Sequence, residues 1–386
     1  MRLSRHSIAA SLLLIVLLAT GTSLALEAAE KSLTIEPEVK AGTTLVVENL
    51  LGSVHVVPSQ SKGSVRVEAR VVAEAKTPEE AEALAESIRL EPHAEGDTTR
   101  VHVAWPVDRF TAYRPPKSGV KGLLKRWAAP MLRGGSTVEY DGQLIQVGPE
   151  RKATGLSVDV TVTLPYDMSA TIRQSVGLIE GRALRGRLRM ETVDGDISFE
   201  RCFGHVTART ERGEVRVSSF QGEELDVSTA QGNMELTDVR SDRARLHTDA
   251  GAIRGLRVTA GELVIESASG DVKLGGLEPT TADVKTGSGK VDLATHLKSL
   301  RNAVIQTATG DVILRVGELT HFDLHAETKS GLVKTMGMTL DLLEQDGQAS
   351  KLQHGQGGPE LRVSALGGSV VVRPYDASRL DLLLKN

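Results

Sequence analysis

Eight hydroxyl side chains recur at a nearly constant interval between residues 186 and 338: Thr192, Thr210, Thr229, Thr248, Ser267, Thr286, Thr307 and Thr328. A row of hydroxyls could supply nucleophiles, but a hydroxyl attacks only beside a general base. None of the eight carries such a base at a repeating offset, so the row reads as a ladder that satisfies backbone groups at chain corners. The run TGSGK (286–290) suggests a phosphate loop, yet Val284 stands where that loop needs glycine, and Val291 replaces its Ser or Thr. His321, Asp323, His325 and Glu327 alternate and would share one strand face, a possible chelate that strand histidines more often decline. Asp271 and Asp311 follow glycines, but calcium-binding repeats are much denser in Gly and Asp. The single cysteine, Cys202, excludes an intramolecular disulfide framework and a Cys₄ zinc site, and beside Phe203 it reads as a small buried hydrophobe. No catalytic residue, metal or cofactor is expected, and the chain reads as non-enzymatic.

The hydroxyls are placed by a repeated phrase. Each stands three residues before a glycine: Gly195, Gly213, Gly232, Gly251, Gly270, Gly289, Gly310 and Gly331, spaced by 18 to 21 residues. Seven and five residues before each glycine, and two after, the side chains are apolar, as in Leu225, Val227 and Met234 around Gly232. Period-two alternation on both sides of a glycine means two short strands meeting at a corner, where glycine would supply a positive φ. Gly52, Gly177 and Gly368 continue the pattern, with Asn49, Gln174 and Ala365 in the hydroxyl position, as expected of terminal repeats. One such strand pair cannot bury its apolar face alone, but stacked pairs can. Outward charges would then oppose one another on neighbouring coils (Asp226 with Arg245, Glu266 with Lys285, and the row Arg216, Glu235, Arg254). The fold class expected is all-β: a single-stranded β-solenoid of about ten coils of 18–21 residues, with a small α+β cap at its N-terminal end.

The remaining sequence divides around this array. Residues 1–25 combine Arg2 and Arg5, an apolar run and a small-residue site ending at Ala25, as in a cleaved export signal or, less simply, a retained anchor. Residues 26–106 read as a β-rich cap with one helix over 77–90, started by Thr77 and Pro78. Residues 107–155 form a basic, aromatic insertion whose contact residues would be Arg109, Phe110, Tyr113, Lys117, Lys121, Lys125, Arg126 and Trp127. The alternative for this insertion is a cap over the solenoid's open end. The array proper covers 156–338, a protruding loop 339–358, the last coil 359–375 and a tail 376–386. The net charge of −4 disfavours a nucleic-acid binder.

The opening ENLLGSVHVVP (48–58), the strand VDVTVTLPYDMSATI (158–172) and the chain of T-x-x-G-x-V turns resemble the bacterial DUF4097 proteins, a family labelled "putative adhesin". The resemblance covers most of 43–375 and implies a β-solenoid outside the cytoplasm with a loosely assigned adhesive role; it brings no catalytic residues. The function expected is thus an exported binding module of the cell envelope. It would be periplasmic, envelope-associated or secreted, and its partner would be an envelope protein, a polysaccharide or an anionic membrane surface. A polysaccharide-active β-helix enzyme and a self-assembling scaffold are the alternatives.

Overall fold

The computed structural model describes residues 26–40, 42–59, 64–117, 135–150 and 152–375. The chain divides into two compact units, Met1–Gly195 and Asp196–Asn386. The first holds β1 (Glu27–Ile35), β2 (Thr44–Pro58), β3 (Arg66–Ala75), α1 (Pro78–Glu86), β4 (Arg89–Glu95), β5 (Thr98–Ala104), β6 (Ala112–Arg114), β7 (Ser136–Tyr140), β8 (Gln143–Val147), β9 (Thr154–Leu164), β10 (Ser169–Arg182) and β11 (Arg185–Asp194). Its centre is β2, which pairs in parallel with β10 along its length, with β5 along its first half and with β9 along its second. Antiparallel strands finish the edges, β4 on β5, β3 on β9 and β1 on β3.

Helix α1 is shorter than the 77–90 expected. Thr77 caps it by accepting the Glu80 N–H at 3.2 Å, as its sequence suggests. The Ser87 hydroxyl donates to the Leu84 carbonyl, and from Arg89 the backbone pairs with β5 instead. The described part of the insertion folds back on this unit. Strands β7 and β8 make a hairpin whose turn residues Asp141 and Gly142 both have positive φ, the pairing that matches the natural strand twist. Tyr140 donates to the Val103 carbonyl at 2.6 Å, and Arg114 of β6 reaches Glu74 in a buried ion pair of 2.7 Å.

The second unit holds β12 (Ile197–Glu200), β13 (Phe203–Arg212), β14 (Val215–Gln231), β15 (Met234–Ala250), β16 (Ile253–Ser269), β17 (Val272–Thr286), β18 (Val291–Thr295), β19 (Asn302–Thr307), β20 (Val312–Val316), β21 (Phe322–Thr328), β22 (Val333–Thr335), β23 (Asp341–Asp346), β24 (Ala349–His354), β25 (Glu360–Ala365) and β26 (Val370–Pro374). Parallel pairing joins β14, β15, β16 and β17 in register, Val215 to Met234 to Ile253 to Val272. Leu225, Ala244 and Leu263 line the interior with no solvent exposure.

In the second unit four hydroxyls of the ladder have the expected role, while Thr328 bonds the Gly331 carbonyl of its own turn and the buried Ser267 hydroxyl has no partner among the described residues. Thr229, Thr248, Thr286 and Thr307 donate to the carbonyls of Gly213, Gly232, Gly270 and Gly289, the corner glycines one coil earlier. In the first unit amides take over the column: Asn49 donates to Val158 O and to Gln174 Oε1, and accepts from the Trp105 indole. The reason for glycine at the corner differs from the expectation. Gly52, Gly177, Gly195, Gly213 and Gly251 do have positive φ, but Gly232, Gly270, Gly289, Gly310, Gly331 and Gly368 do not fall in that region. There the constraint is contact: a Cβ on Gly232 would run into the Gly213 carbonyl oxygen, the same oxygen that Thr229 caps.

A second corner, without a residue signature, carries the left-handed backbone. Ser219, Asp238, Arg257, Gly276 and Leu297 occupy it in successive coils with φ of 55° to 63°. Only one of them is glycine, so the sequence carries no mark of this corner.

The end of the array is interleaved. Residues 360–374, expected as the last coil, lie between two earlier ones: β25 pairs with β19 on one side and β21 on the other, and β26 with β20 and β22. Residues 339–358, expected as a protruding loop, contain the hairpin β23–β24, which adds antiparallel to β21. Gly347-Gln348 makes its turn, Gly347 at φ 56°, and so the segment satisfies its backbone in a sheet.

Candidate binding groove

Five strands of the second unit run in the order β19, β25, β21, β24, β23. Laid flat, the outer two would be nearly 20 Å apart (about 4.8 Å per strand). Yet Val304 and Gln306 of β19 and Glu344 and Asp346 of β23 line one cavity of about 580 Å³, so the sheet curls into a trough. Register gives the trough two rows. One runs Gln306, Ser364, Glu327, Ala349, Asp346; the other runs Val304, Arg362, His325, Lys351, Glu344.

The charges are unevenly spent. Arg362 grips Glu360 with two hydrogen bonds of 2.9 and 3.2 Å, and His325 lies 3.6 Å from the same carboxylate. The Arg362 guanidinium holds the Glu360 carboxyl below its usual range. The side chains of Glu327, Glu344, Asp346 and Lys351 make no hydrogen bond or ion pair with the described residues. The other members of the suspected chelate are divided: His321 accepts the Gln356 N–H, and Asp323 accepts from Gln353. Among the described residues no cluster of three or more such ligands is present.

The basic insertion is placed differently from the expectation in one respect. Tyr113 is not a contact residue: it has no exposure and packs edge-on against Trp105 at 5.1 Å and Phe110 at 6.5 Å. Its apolar neighbourhood explains this, since the ring is worth more in the core than at the surface. Burial also pushes its phenol far up. Arg109 is exposed with its guanidinium 5.3 Å over the half-buried Phe110 ring, and Lys117 is exposed. Lys121, Lys125, Arg126 and Trp127 lie outside the described residues, as do the signal segment 1–25 and the tail 376–386. Asp271 and Asp311 do structural work: their carboxylates accept the N–H groups of Lys290 and Ser369, each on the coil stacked next to it. In TGSGK, the Thr286 hydroxyl and the Lys290 backbone N–H are thereby committed to bonds between coils.

One constellation escaped the sequence reading. Ser53 Oγ lies 3.2 Å from His55 Nε2, and His55 Nδ1 lies 3.0 Å from Glu180, the spacing of a hydrolase triad. Ser53 is 3% exposed, however, and donates its proton to Asp159 at 2.7 Å, so neither the proton nor the oxygen is available to a substrate. The i, i+2 spacing of Ser and His on a strand was its only signal.

A family model for Toastrack DUF4097 matches residues 151–365. The chain belongs to this family. Similar solved structures include a "putative cell adhesion protein" from Clostridium sporogenes, 10% identical over 90% of this chain and 100% of that one, with a TM-score of 0.17. A "putative lipid binding protein" from Parabacteroides distasonis is 12% identical, covering 88% and 96%, with a TM-score of 0.39. A "putative adhesin" from Bacteroides fragilis is 11% identical, covering 89% and 97%, with a TM-score of 0.29. At such TM-scores these likenesses carry no weight for function. No curated protein matches this sequence.

In the first unit of this Toastrack chain, one charge row is built around a histidine. His102 sits between Glu48 at 3.5 Å and Asp141 at 3.0 Å and stacks on Tyr140, while Arg173 bonds Glu48 at 3.0 Å. The His102 hydrogen bond, aided by Arg173, lowers the Glu48 carboxyl to about 2 despite partial burial. Burial works against the His102 imidazolium, but Glu48 and Asp141 together raise it. Glu48 therefore stabilises the fold above pH 4.5, and that contribution fades as pH falls toward 2. His102 contributes below pH 6.5 and loses this as pH rises through its higher folded value. The wild type should melt higher at pH 5.5 than at pH 8.5, and His102→Gln should flatten that difference; an equal slope in the variant would exclude His102 as its source.

Proposed function

We propose that this chain is an exported, non-enzymatic binding module of the bacterial cell envelope that makes contact through the outward groove of its second unit. The observation that supports it is the contrast between spent and unspent groups. Thr229, Thr248, Thr286 and Thr307 spend their hydroxyls on coil-to-coil bonds and Ser53 spends its own on Asp159, whereas the groove holds charged side chains that are committed to nothing. Glu327 and Asp346 resemble the carboxylate pair of a glycosidase in type only: both are exposed, without the dry surroundings a general acid uses. The basic insertion remains a second contact surface, through Arg109 and Lys117 and the residues that follow them.

Fractionation of cells expressing the full chain, with N-terminal sequencing, should find it outside the cytoplasm and trimmed after Ala25. Polysaccharide and peptidoglycan panels should show no turnover. Turnover abolished by Glu327→Gln, or a chain retained in the cytoplasm, would refute the reading.

A further inference from the structure

Resting on the binding-module reading, we infer that the groove takes a basic peptide segment, with a Lys or Arg side chain seated between Glu327 and Asp346 over Ala349. The cavity of about 580 Å³ lies within the range of ligand sites and is a trough between β19 and β23. Its lining is mixed, but the bases of the second row are largely used. Glu360 occupies Arg362 and faces His325, which leaves three carboxylates (Glu327, Glu344 and Asp346) against the single ammonium of Lys351. The complement is a cation.

Position within the rows narrows this further. Glu327 and Asp346 both pair across to Ala349, which offers only a methyl group between them. On a flat sheet the two carboxylates would stand roughly 10 Å apart, and the curl of the trough closes that gap. An ammonium or guanidinium bridging them would form charge-assisted bonds to each. Ser364 and Gln306, next in the same row, offer a hydroxyl and an amide to a neutral backbone. A peptide is favoured over a free polyamine because β23, which forms one wall, pairs among the described residues with β24 alone. Its other backbone edge is open to an extended chain.

The test is fluorescence anisotropy on residues 26–386 with a labelled eight-residue peptide alternating Lys and Thr, its Glu/Thr counterpart, and spermidine as competitor. The Lys peptide should bind, weakening at least tenfold between 50 and 300 mM salt. Glu327→Gln with Asp346→Asn should weaken it at least tenfold, and Ala349→Leu should do the same by filling the gap without changing charge. Glu82→Gln with Glu139→Gln, exposed acids in the other unit, should leave it unchanged. The melting midpoint of the charge variant should stay at the wild-type value, since neither carboxylate has a partner to lose. Equal affinity in both variant pairs, binding of the Glu peptide, or binding of spermidine alone would each overturn the inference while leaving a non-enzymatic binding module intact. Turnover on the polysaccharide panels would remove that reading itself.

Discussion

Gly232→Ala should destabilise the second unit by about 3 kcal/mol, and Gly42→Ala by no more than about 1 kcal/mol. The two substitutions separate two costs of replacing glycine. At Gly42 the backbone has φ of 85°, but an added Cβ would meet nothing within 4 Å. At Gly232 the backbone lies outside that region, yet the Cβ would collide with the Gly213 carbonyl. That oxygen cannot retreat cheaply, because it already accepts the Thr229 hydroxyl and belongs to a coil held in register on both strands. Relief requires the coils to part locally, which loosens the core contacts of Val227 and Met234. Urea midpoints for Gly232→Ala, Gly42→Ala and the exposed control Glu235→Ala give the answer. A ranking with Gly42→Ala as the most damaging would mean that left-handed backbone, and not stacking contact, dictates the glycine column.

Glu74→Ala should cost about 3–5 kcal/mol, because it strands the Arg114 guanidinium in the interior of the first unit. The Glu74 side chain is 0% exposed and that of Arg114 9%. Arg114 Nη1 donates to Glu74 Oε2 at 2.7 Å and to the Pro115 carbonyl at 3.1 Å, and the second contact alone cannot replace the solvation lost on burial. Replacing both charges, with Glu74→Leu and Arg114→Met, should recover much of the loss. The pair thus anchors β6, and with it the start of the basic insertion, to β3. A single substitution that shifts the denaturation midpoint no more than a surface mutation would show the pair to be solvated. A double variant as unstable as the single would place its value in shape and not in charge.

The parts of the fold visible in the sequence are those where one residue type has one physical use. Glycine under a carbonyl, a hydroxyl beneath it and apolar residues at period two recur because every coil poses the same problem. The second corner shows the opposite case. Ser219, Asp238, Arg257 and Leu297 all accept a left-handed backbone at modest cost, so no residue type records it. Neighbour order is also hidden, since every coil presents a similar inner face and nothing in residues 360–374 says which two coils it will separate. The groove was half visible. The alternation of His325 and Glu327 marks an outward face, and Gly347-Gln348 between two short runs is a hairpin signal too weak to tell a turn from a loop. Tyr113 misled because basic and aromatic residues close together describe a contact surface and a core anchor equally well.

The interleaved end has a consequence in time. As the chain emerges from the ribosome, residues 322–335 appear before 360–374, yet their native bed is the surface that 360–374 provides. Until then the edge of 302–316 is open, and Leu324 and Ala326 offer nearly the same inner pattern as its proper neighbours Leu361 and Val363. An early arrival can therefore occupy the wrong berth and must leave it before the later segment enters. The bond from Ser369 N to Asp311, spanning 58 residues, can form only after that exchange. Loop closure over such a span adds little to the equilibrium cost but much to the waiting. The rate of refolding, more than final stability, should report this eviction step.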